Sequence, residues 1–363
     1  MPLLKDLHIR ITSRCNFNCL HCYATDWFKD DHYLDLEILK SVILQAKELG
    51  CKKVTFTGGE PLISQNTIPI IKFCLDNNLK VEIETNGFLV NKIIPKLIGY
   101  LKKIEFAISY DGQRMRGPKN GDRVLTNIKI LKNIGCDVKI QTVLTKINVD
   151  ESDIIFEFSR QNNINHRVFL SHSLNGNGKN IPPFEIDEWL KILKNIKEKH
   201  PHVVIELPDL FSGGSQKKCG WGVHRCELMS NGDVTSCAPI TFNKRDFIAG
   251  NIKHQRLEEI WNSKHFEYIR SLTQSDFQGL CKTCNCWKTC LGACRSISYS
   301  IGNDLLSPHP FCVALFNKIQ TENLALSLVE QIPNLDLWLK NVTGKICITE
   351  NEKYLPIVES QHK

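Results

Sequence analysis

Short runs of alternating apolar and polar residues recur through the first half of the chain, separated by longer stretches with helical spacing. Leu7-His8-Ile9-Arg10-Ile11 has the period of two expected of a strand. Leu36, Leu39, Val42, Ile43, Ala46 and Leu49 then share one helical face, and Gly50 ends that helix. Lys53-Val54-Thr55-Phe56-Thr57 reads as a buried strand. The same patterning predicts helices over 66–77, 91–101, 123–134, 150–162 and 185–199, and strands over 80–85, 104–109, 138–144 and 167–171. Strands alternating with helices of this length predict right-handed βαβ units and a parallel sheet. Active sites of barrels built this way lie at the carboxyl ends of the strands.

Residues 173–183 break the pattern with glycine, asparagine and proline, and the extended segment Val203-Val204-Ile205-Glu206 follows the closing helix. Later stretches predict a helix over 314–332, then segments over 335–339 and 345–357 that carry no motif. A length of 363 residues accommodates two domains, at about 100–200 residues each. Boundaries fall at 1–200 for the βα half, 201–218 for a bridge, 219–322 for a cysteine-rich domain and 323–363 for an extension. A hydrophobic share of 42% with 23% charged residues is an ordinary globular balance. The net charge of +7 is spread over many lysines, with no nucleic-acid motif beside it. It reads as solvated surface that suits an acidic partner. No signal region and no run of about 18 apolar residues is present, so no membrane contact and a cytoplasmic setting are expected.

Sixteen cysteines in a reducing compartment point to metal rather than disulfides. Cys15, Cys19 and Cys22 share one loop directly after the first strand, and a second field runs from Cys219 to Cys312. Cys51, Cys74, Cys136 and Cys347 stand in apolar contexts and read as small buried hydrophobes. Thiolates suit zinc and iron–sulfur clusters. A structural zinc site needs four ligands, whereas the first loop offers three, and a cube cluster on three thiolates keeps one iron free. Other candidates follow later strands: Gly58-Gly59-Glu60-Pro61 the second, Asn86-Gly87 the third, Ser109 and Asp111 the fourth, Leu144 the fifth, and Leu170 and Ser171 the sixth. All of them fall on one rim. A turn after a strand is the plain alternative for the glycine, Asn-Gly and Asp-Gly positions, and a place in the core is the alternative for Leu144 and Leu170.

The loop Cys15-x3-Cys19-x2-Cys22, with His21 before its last cysteine, resembles the radical S-adenosylmethionine (SAM) superfamily, and Gly58-Gly59-Glu60-Pro61 is similar to that family's motif for the methionyl amino group. The resemblance implies a partial (β/α)6 barrel of α/β class. It also implies a [4Fe-4S] cluster on Cys15, Cys19 and Cys22 that binds SAM and yields a 5′-deoxyadenosyl radical. Glu60 would meet the ammonium, Ser109 and Asp111 the ribose, with Asn86 and Leu144 as weaker contacts. The second field, Cys219-x12-Gly232-x4-Cys237, then Cys281-x2-Cys284-x5-Cys290-x3-Cys294 and Cys312, resembles the SPASM extension with two auxiliary [4Fe-4S] clusters. Gly250-Asn251-Ile252 and the short helix of Leu257, Ile260 and Trp261 match it too. In that pattern Cys281, Cys284, Cys290 and Cys312 hold one auxiliary cluster. Cys219, Cys237 and Cys294 hold the other, for which Cys226 is the expected fourth ligand and Cys286 a bystander.

Three [4Fe-4S] clusters and SAM are therefore the implied cofactors. The extension implies an oxidoreductase that matures a ribosomally made precursor peptide, most often by a cross-link. Reduced flavodoxin or ferredoxin would supply electrons. No leader-recognition module precedes the barrel, so a separate leader-peptide-binding protein is the expected partner if capture is needed. Two alternatives stay open. A sulfatase-type maturase would carry aspartate after Cys237, where this chain has Ala238. A haem-pathway decarboxylase would need arginines clustered at the cleft, and Arg10, Arg14, Arg114, Arg116 and Arg123 are the ones to place.

Overall fold

The computed structural model describes residues 2–27, 32–170, 175–206, 220–242, 245–284 and 286–322. Six parallel strands follow one another in chain order: β1 Asp6–Arg10, β2 Lys53–Thr57, β3 Lys80–Thr85, β4 Ile104–Ser109, β5 Asp137–Leu144 and β6 Asn165–Leu170. The segment read as a bridge forms a seventh parallel strand, β7 Val203–Ile205, against β6. At the opposite edge β8 Arg225–Leu228 pairs parallel with β1. β9 Asp233–Thr235 and β10 Ile248–Asn251 then continue antiparallel. One ten-stranded sheet therefore runs through both halves of the sequence.

Period-two alternation decides the two faces of this sheet. Leu7, Ile9, Val54, Phe56, Val81, Ile83, Phe106, Ile108, Val138 and Ile140 point outward into the main core beneath the helices. Each large side chain buried there stabilises the fold by about 1.5–3 kcal/mol. Most of the intervening positions, on the inside of the curved sheet, are polar, among them His8, Arg10, Thr55, Glu82, Glu84, Glu105 and Lys139.

Helices close the outer layer. α1, Leu36–Glu48, buries Leu39, Val42, Ile43 and Ala46, and the Asp35 carboxylate caps it by accepting from Glu37 N at 2.8 Å. α2 Thr67–Asp76, α5 Pro118–Ile134, α6 Ser152–Gln161 and α7 Ile186–Lys199 match expected helices. α5 begins earlier than the hydrophobic spacing showed, with Pro118 in its first turn after the short helix α4 Gln113–Arg116. The helix expected over 91–101 is broken. Val90–Ile93 (α3) gives way to a 3-10 turn over Ile94–Leu97, because Pro95 lacks the amide and disfavours helix before it.

A second core cluster joins Leu144, Phe156, Trp189, Phe184 and Phe311, and Cys284, Cys286 and Cys312 pack on it. The short helix Leu257–Trp261 forms as expected, with Leu257, Ile260 and Trp261 fully buried. The predicted C-terminal helix starts earlier, at Pro310, and runs to Glu322; the segments over 335–339 and 345–357, and Cys347, lie outside the described residues.

Candidate functional site

The loop leaving β1 carries Cys15, Cys19 and Cys22 over the carboxyl ends of the strands, all half-buried. It is clamped from below by the turn after β2. Gly59 N donates to Thr12 O at 2.8 Å, and Glu60 N donates to Arg14 O at 2.7 Å. A Cβ on Gly59 would stand 2.0 Å from Arg14 O, and one on Gly58 2.6 Å from Thr12 O. The paired glycines are thus required first by the approach of the cysteine loop itself.

Glu60 is buried. Its carboxylate accepts from Thr85 Oγ1 at 2.6 Å, Asn86 N at 2.8 Å and Leu62 N at 3.1 Å, so most of its acceptor capacity is engaged. Burial outweighs these bonds and raises its pKa. Asn86 links two loops: its side chain donates to Asn16 Oδ1 at 2.8 Å, and its own Oδ1 accepts from Phe88 N at 3.0 Å. Ser109, half-buried, ends β4 on the inward face beside Gln141.

Two of the expected SAM contacts are corrected by the fold. Leu144 is fully buried in the second core cluster, because the alternation of β5 turns it outward and leaves Val143 inward. It cannot flank an adenine in the barrel. Asp111 is also buried, and it accepts from Val143 N at 2.8 Å and from Arg116 Nη2 at 2.9 Å, with His21 Nε2 at 3.5 Å. Burial works against its ionisation, yet the charges of His21 and Arg116 and the Val143 amide win, and its pKa is lowered. Asp111 anchors Arg116 instead of presenting a free carboxylate to a ribose.

Arg116 was the unplaced arginine that matters here. Its Nη1 donates to Asn86 O at 3.3 Å, its guanidinium lies 5.6 Å from the Phe17 ring centroid, and its Nε has no partner among the described residues. Arg10, the other buried arginine, donates from Nε to Glu227, from Nη2 to Tyr23 Oη at 2.5 Å and from Nη1 to Gly58 O at 3.4 Å. The second oxygen of Glu227 accepts from Ala238 N at 3.1 Å. One side-chain chain thus ties the residue after Cys22 to the residue after Cys237. Arg114 is exposed and paired with Asp150, Arg123 stacks on Phe88 at 4.0 Å, and Arg14 is exposed. The five arginines are therefore not one cluster. The single-sequence signal for Glu227 was a charged residue inside a short apolar strand; for Arg116 nothing beyond its position after β4 marked it.

The donor set at the first loop fits a metal cluster. Burial pushes the Cys15 thiol up to about 11 and Cys19 up to about 12, and raises Cys22. Cys22 further disfavours the thiolate of Cys15, and Cys22 and Cys15 that of Cys19, while Arg116 opposes the shift at both. Thiols crowded this way become thiolates when a bound cationic centre compensates them.

In the second field Cys281, Cys284, Cys290 and Cys312 come together, each close enough for its charge to act on Cys312 or be acted on by it. Gln274 Nε2 donates to Cys281 O at 3.1 Å and to Cys284 O at 2.8 Å, which fixes their loop. Cys286, expected to stand apart, bonds to Cys284 and feels Cys290 and Cys312. Cys237 is half-buried and Cys294 exposed, while Cys219 lies outside the described residues. Cys226 is corrected. It sits fully buried in β8 opposite Leu7, on the outward face of the sheet, with Cys51 beside it, and burial pushes its thiol far up. It is a core thiol, as are Cys51, Cys74 and Cys136.

Residues 9–158 match the radical SAM superfamily, and residues 219–287 match the SPASM iron–sulfur cluster-binding domain. The chain is a radical SAM enzyme with a SPASM domain. Iron–sulfur clusters and SAM are the cofactors of these domains. Across both domains this radical SAM enzyme is similar to a mycofactocin maturase of Mycolicibacterium smegmatis, 25% identical over 84% of this chain and 81% of that one. It is also similar to an AdoMet-dependent heme synthase of Methanosarcina barkeri, 26% identical over 84% of this chain and 94% of that one. Its fold matches that of Streptococcus suis SuiB bound to precursor peptide SuiA, with a TM-score of 0.68 at 18% identity, over 85% of this chain and 75% of that one. Among the described residues no helix is long and apolar enough to cross a membrane.

Proposed function

We propose that this radical SAM enzyme matures a ribosomally made precursor peptide by an oxidative modification, a cross-link being the form that fits best. The observation that carries this reading is the alignment of 84% of this chain, across both domains, with 81% of a maturase. The peptide-bound solved relative has the same fold. SAM bound at the Cys15, Cys19 and Cys22 cluster supplies the chemistry that removes a hydrogen atom from an unactivated carbon. The protein's part is positional. Glu60 and the Gly58-Gly59 backbone hold the methionyl end, and Ser109 faces the ribose. Arg116, anchored by Asp111, sets positive charge beside Cys19. Cys281, Cys284, Cys290 and Cys312 would hold one auxiliary cluster, and Cys219, Cys237 and Cys294 the other, giving three in all. A reduced flavodoxin or ferredoxin supplies electrons.

A second reading, decarboxylation of a propionate-bearing tetrapyrrole, is supported by the heme synthase relative. Against it, both buried arginines are already paired with buried carboxylates, Arg10 with Glu227 and Arg116 with Asp111. Sulfatase-type maturation is disfavoured by Ala238 after Cys237. The deciding experiment combines the holoenzyme, SAM, a reductant and a deuterated candidate peptide. The peptide should become lighter by about two mass units per 5′-deoxyadenosine formed when unlabelled, and by about three when the abstracted hydrogen is deuterium, with that deuterium in the nucleoside. Deuterium transfer with no change in the mass of the unlabelled peptide, and a loss of only about one mass unit from the deuterated one, would mean epimerisation, and carbon dioxide released from a porphyrin would establish the second reading.

A further inference from the structure

The inside of the barrel is lined by charges, and almost all are paired. Lys139 lies 2.6 Å from both Glu82 and Glu105, Lys53 lies 2.9 Å from Glu105 and also touches Glu82, and Arg10 is held by Glu227. Glu84 is different. It is the next inward position above Glu82 on β3, and its register partner on β4 is Ala107, a small side chain that offers it no charge or hydrogen bond. No hydrogen bond or ion pair engages its carboxyl among the described residues, and it is part-exposed to the space the strands enclose. The next two residues of the same strand and its exit, Thr85 and Asn86, hold Glu60 at the rim. Glu84 therefore stands directly beneath the cofactor loops, where a substrate reaching into the barrel would lie.

We propose that Glu84 accepts the proton that the substrate releases during its oxidation. This rests on the oxidative reading above. In that reaction two hydrogens leave the substrate. One goes as a hydrogen atom to the bound cofactor. The second bond then breaks heterolytically: its proton goes to the Glu84 carboxylate, and one electron goes to an auxiliary four-iron cluster. The two electrons that stay behind form the new bond, and Glu84 ends as the neutral acid.

The surroundings select Glu84 over its neighbours. Glu82 and Glu227 are each already engaged by lysine or arginine, and Lys139 and Lys53 hold Glu105 down to about 2 against its burial. His8 has an unpartnered Nε2, but burial first, then Arg225, Arg10, Lys53 and Lys139, drive its pKa well down. At Glu84 burial and the charges of Glu82 and Glu227 raise basicity, against the opposing pull of Lys139 and Arg10. A carboxylate moved toward the working pH is the better general base.

The test compares wild type, Glu84→Gln and Glu84→Asp as reconstituted holoenzymes with deuterated precursor peptide. In Glu84→Gln, deuterium transfer into 5′-deoxyadenosine should persist while formation of the lighter peptide falls about 10²-fold or more. The acid limb of the wild-type pH profile should vanish with it, and Glu84→Asp should restore part of the product with a shifted limb. Independently of turnover, the infrared carbonyl band of a protonated carboxyl, titrated in the substrate-free holoenzyme, should be lost in Glu84→Gln. Product formation at the wild-type rate and pH profile in Glu84→Gln would overturn the proposal. So would a rise in peptide KM with kcat unchanged, which would mark a recognition role. A wild type that never yields the lighter peptide would overturn the oxidative reading itself, a failure seen before any variant is compared.

Discussion

At the scale of single residues, the site is organised by buried charges that satisfy one another before any ligand arrives. Asp111 shows this best. Its carboxylate holds Arg116 and the Val143 amide, while its backbone carbonyl accepts from Asn148 Nδ2 at 2.9 Å in the loop after β5. The pair is fully buried, so removing one partner leaves the other charge uncompensated. Asp111→Asn is expected to cost about 3–5 kcal/mol at neutral pH. The sign with pH follows from the lowered pKa. A carboxyl held below its ordinary 3.8 contributes full stability above that value and loses it as pH falls through the folded pKa. Thermal melts should show wild type and Asp111→Asn well apart at neutral pH and converging in acid. Parallel curves would refute the ion-pair account. Motif matching located Asp111 but not its task, because the task depends on Arg116 arriving from the next helix.

At the scale of elements, the strand–helix alternation was legible because each strand has apolar residues outward and each long helix a wide apolar face. Boundaries moved where local chemistry overrode periodicity, at Pro95 inside a predicted helix and at Pro118 before one. β7 and β8 were harder to read, since strands of three and four residues carry too few positions for a period. That limit produced the Cys226 assignment. Once β8 pairs with β1, the alternation that turns Glu227 inward to Arg10 must turn Cys226 outward into the core. Cys226→Ala should therefore leave iron content and cluster spectra unchanged and lower stability by about 1 kcal/mol, the cost of trimming one buried side chain. Loss of iron from that variant would return Cys226 to the ligand set.

At the scale of the whole molecule, both cysteine fields hang on one continuous sheet. The first follows β1, the second begins just before β8 and continues beyond it, and β1 and β8 are direct neighbours. The Tyr23, Arg10, Glu227 and Ala238 contacts bridge the two. This adjacency could not be read from a chain in which the strands are more than half its length apart, whereas the cysteine spacings that name the two domains could. The central claim is that the first loop carries the SAM-cleaving cluster and the second domain carries separate ones. The most direct measurement is iron content together with 5′-deoxyadenosine formation, in wild type and in the variant with Cys15, Cys19 and Cys22 all changed to alanine. Wild type should hold about twelve irons per chain and the variant about eight, from cubes of four. The variant should form no 5′-deoxyadenosine. Retained SAM cleavage in the variant, or zinc in place of iron in the second domain, would contradict the account.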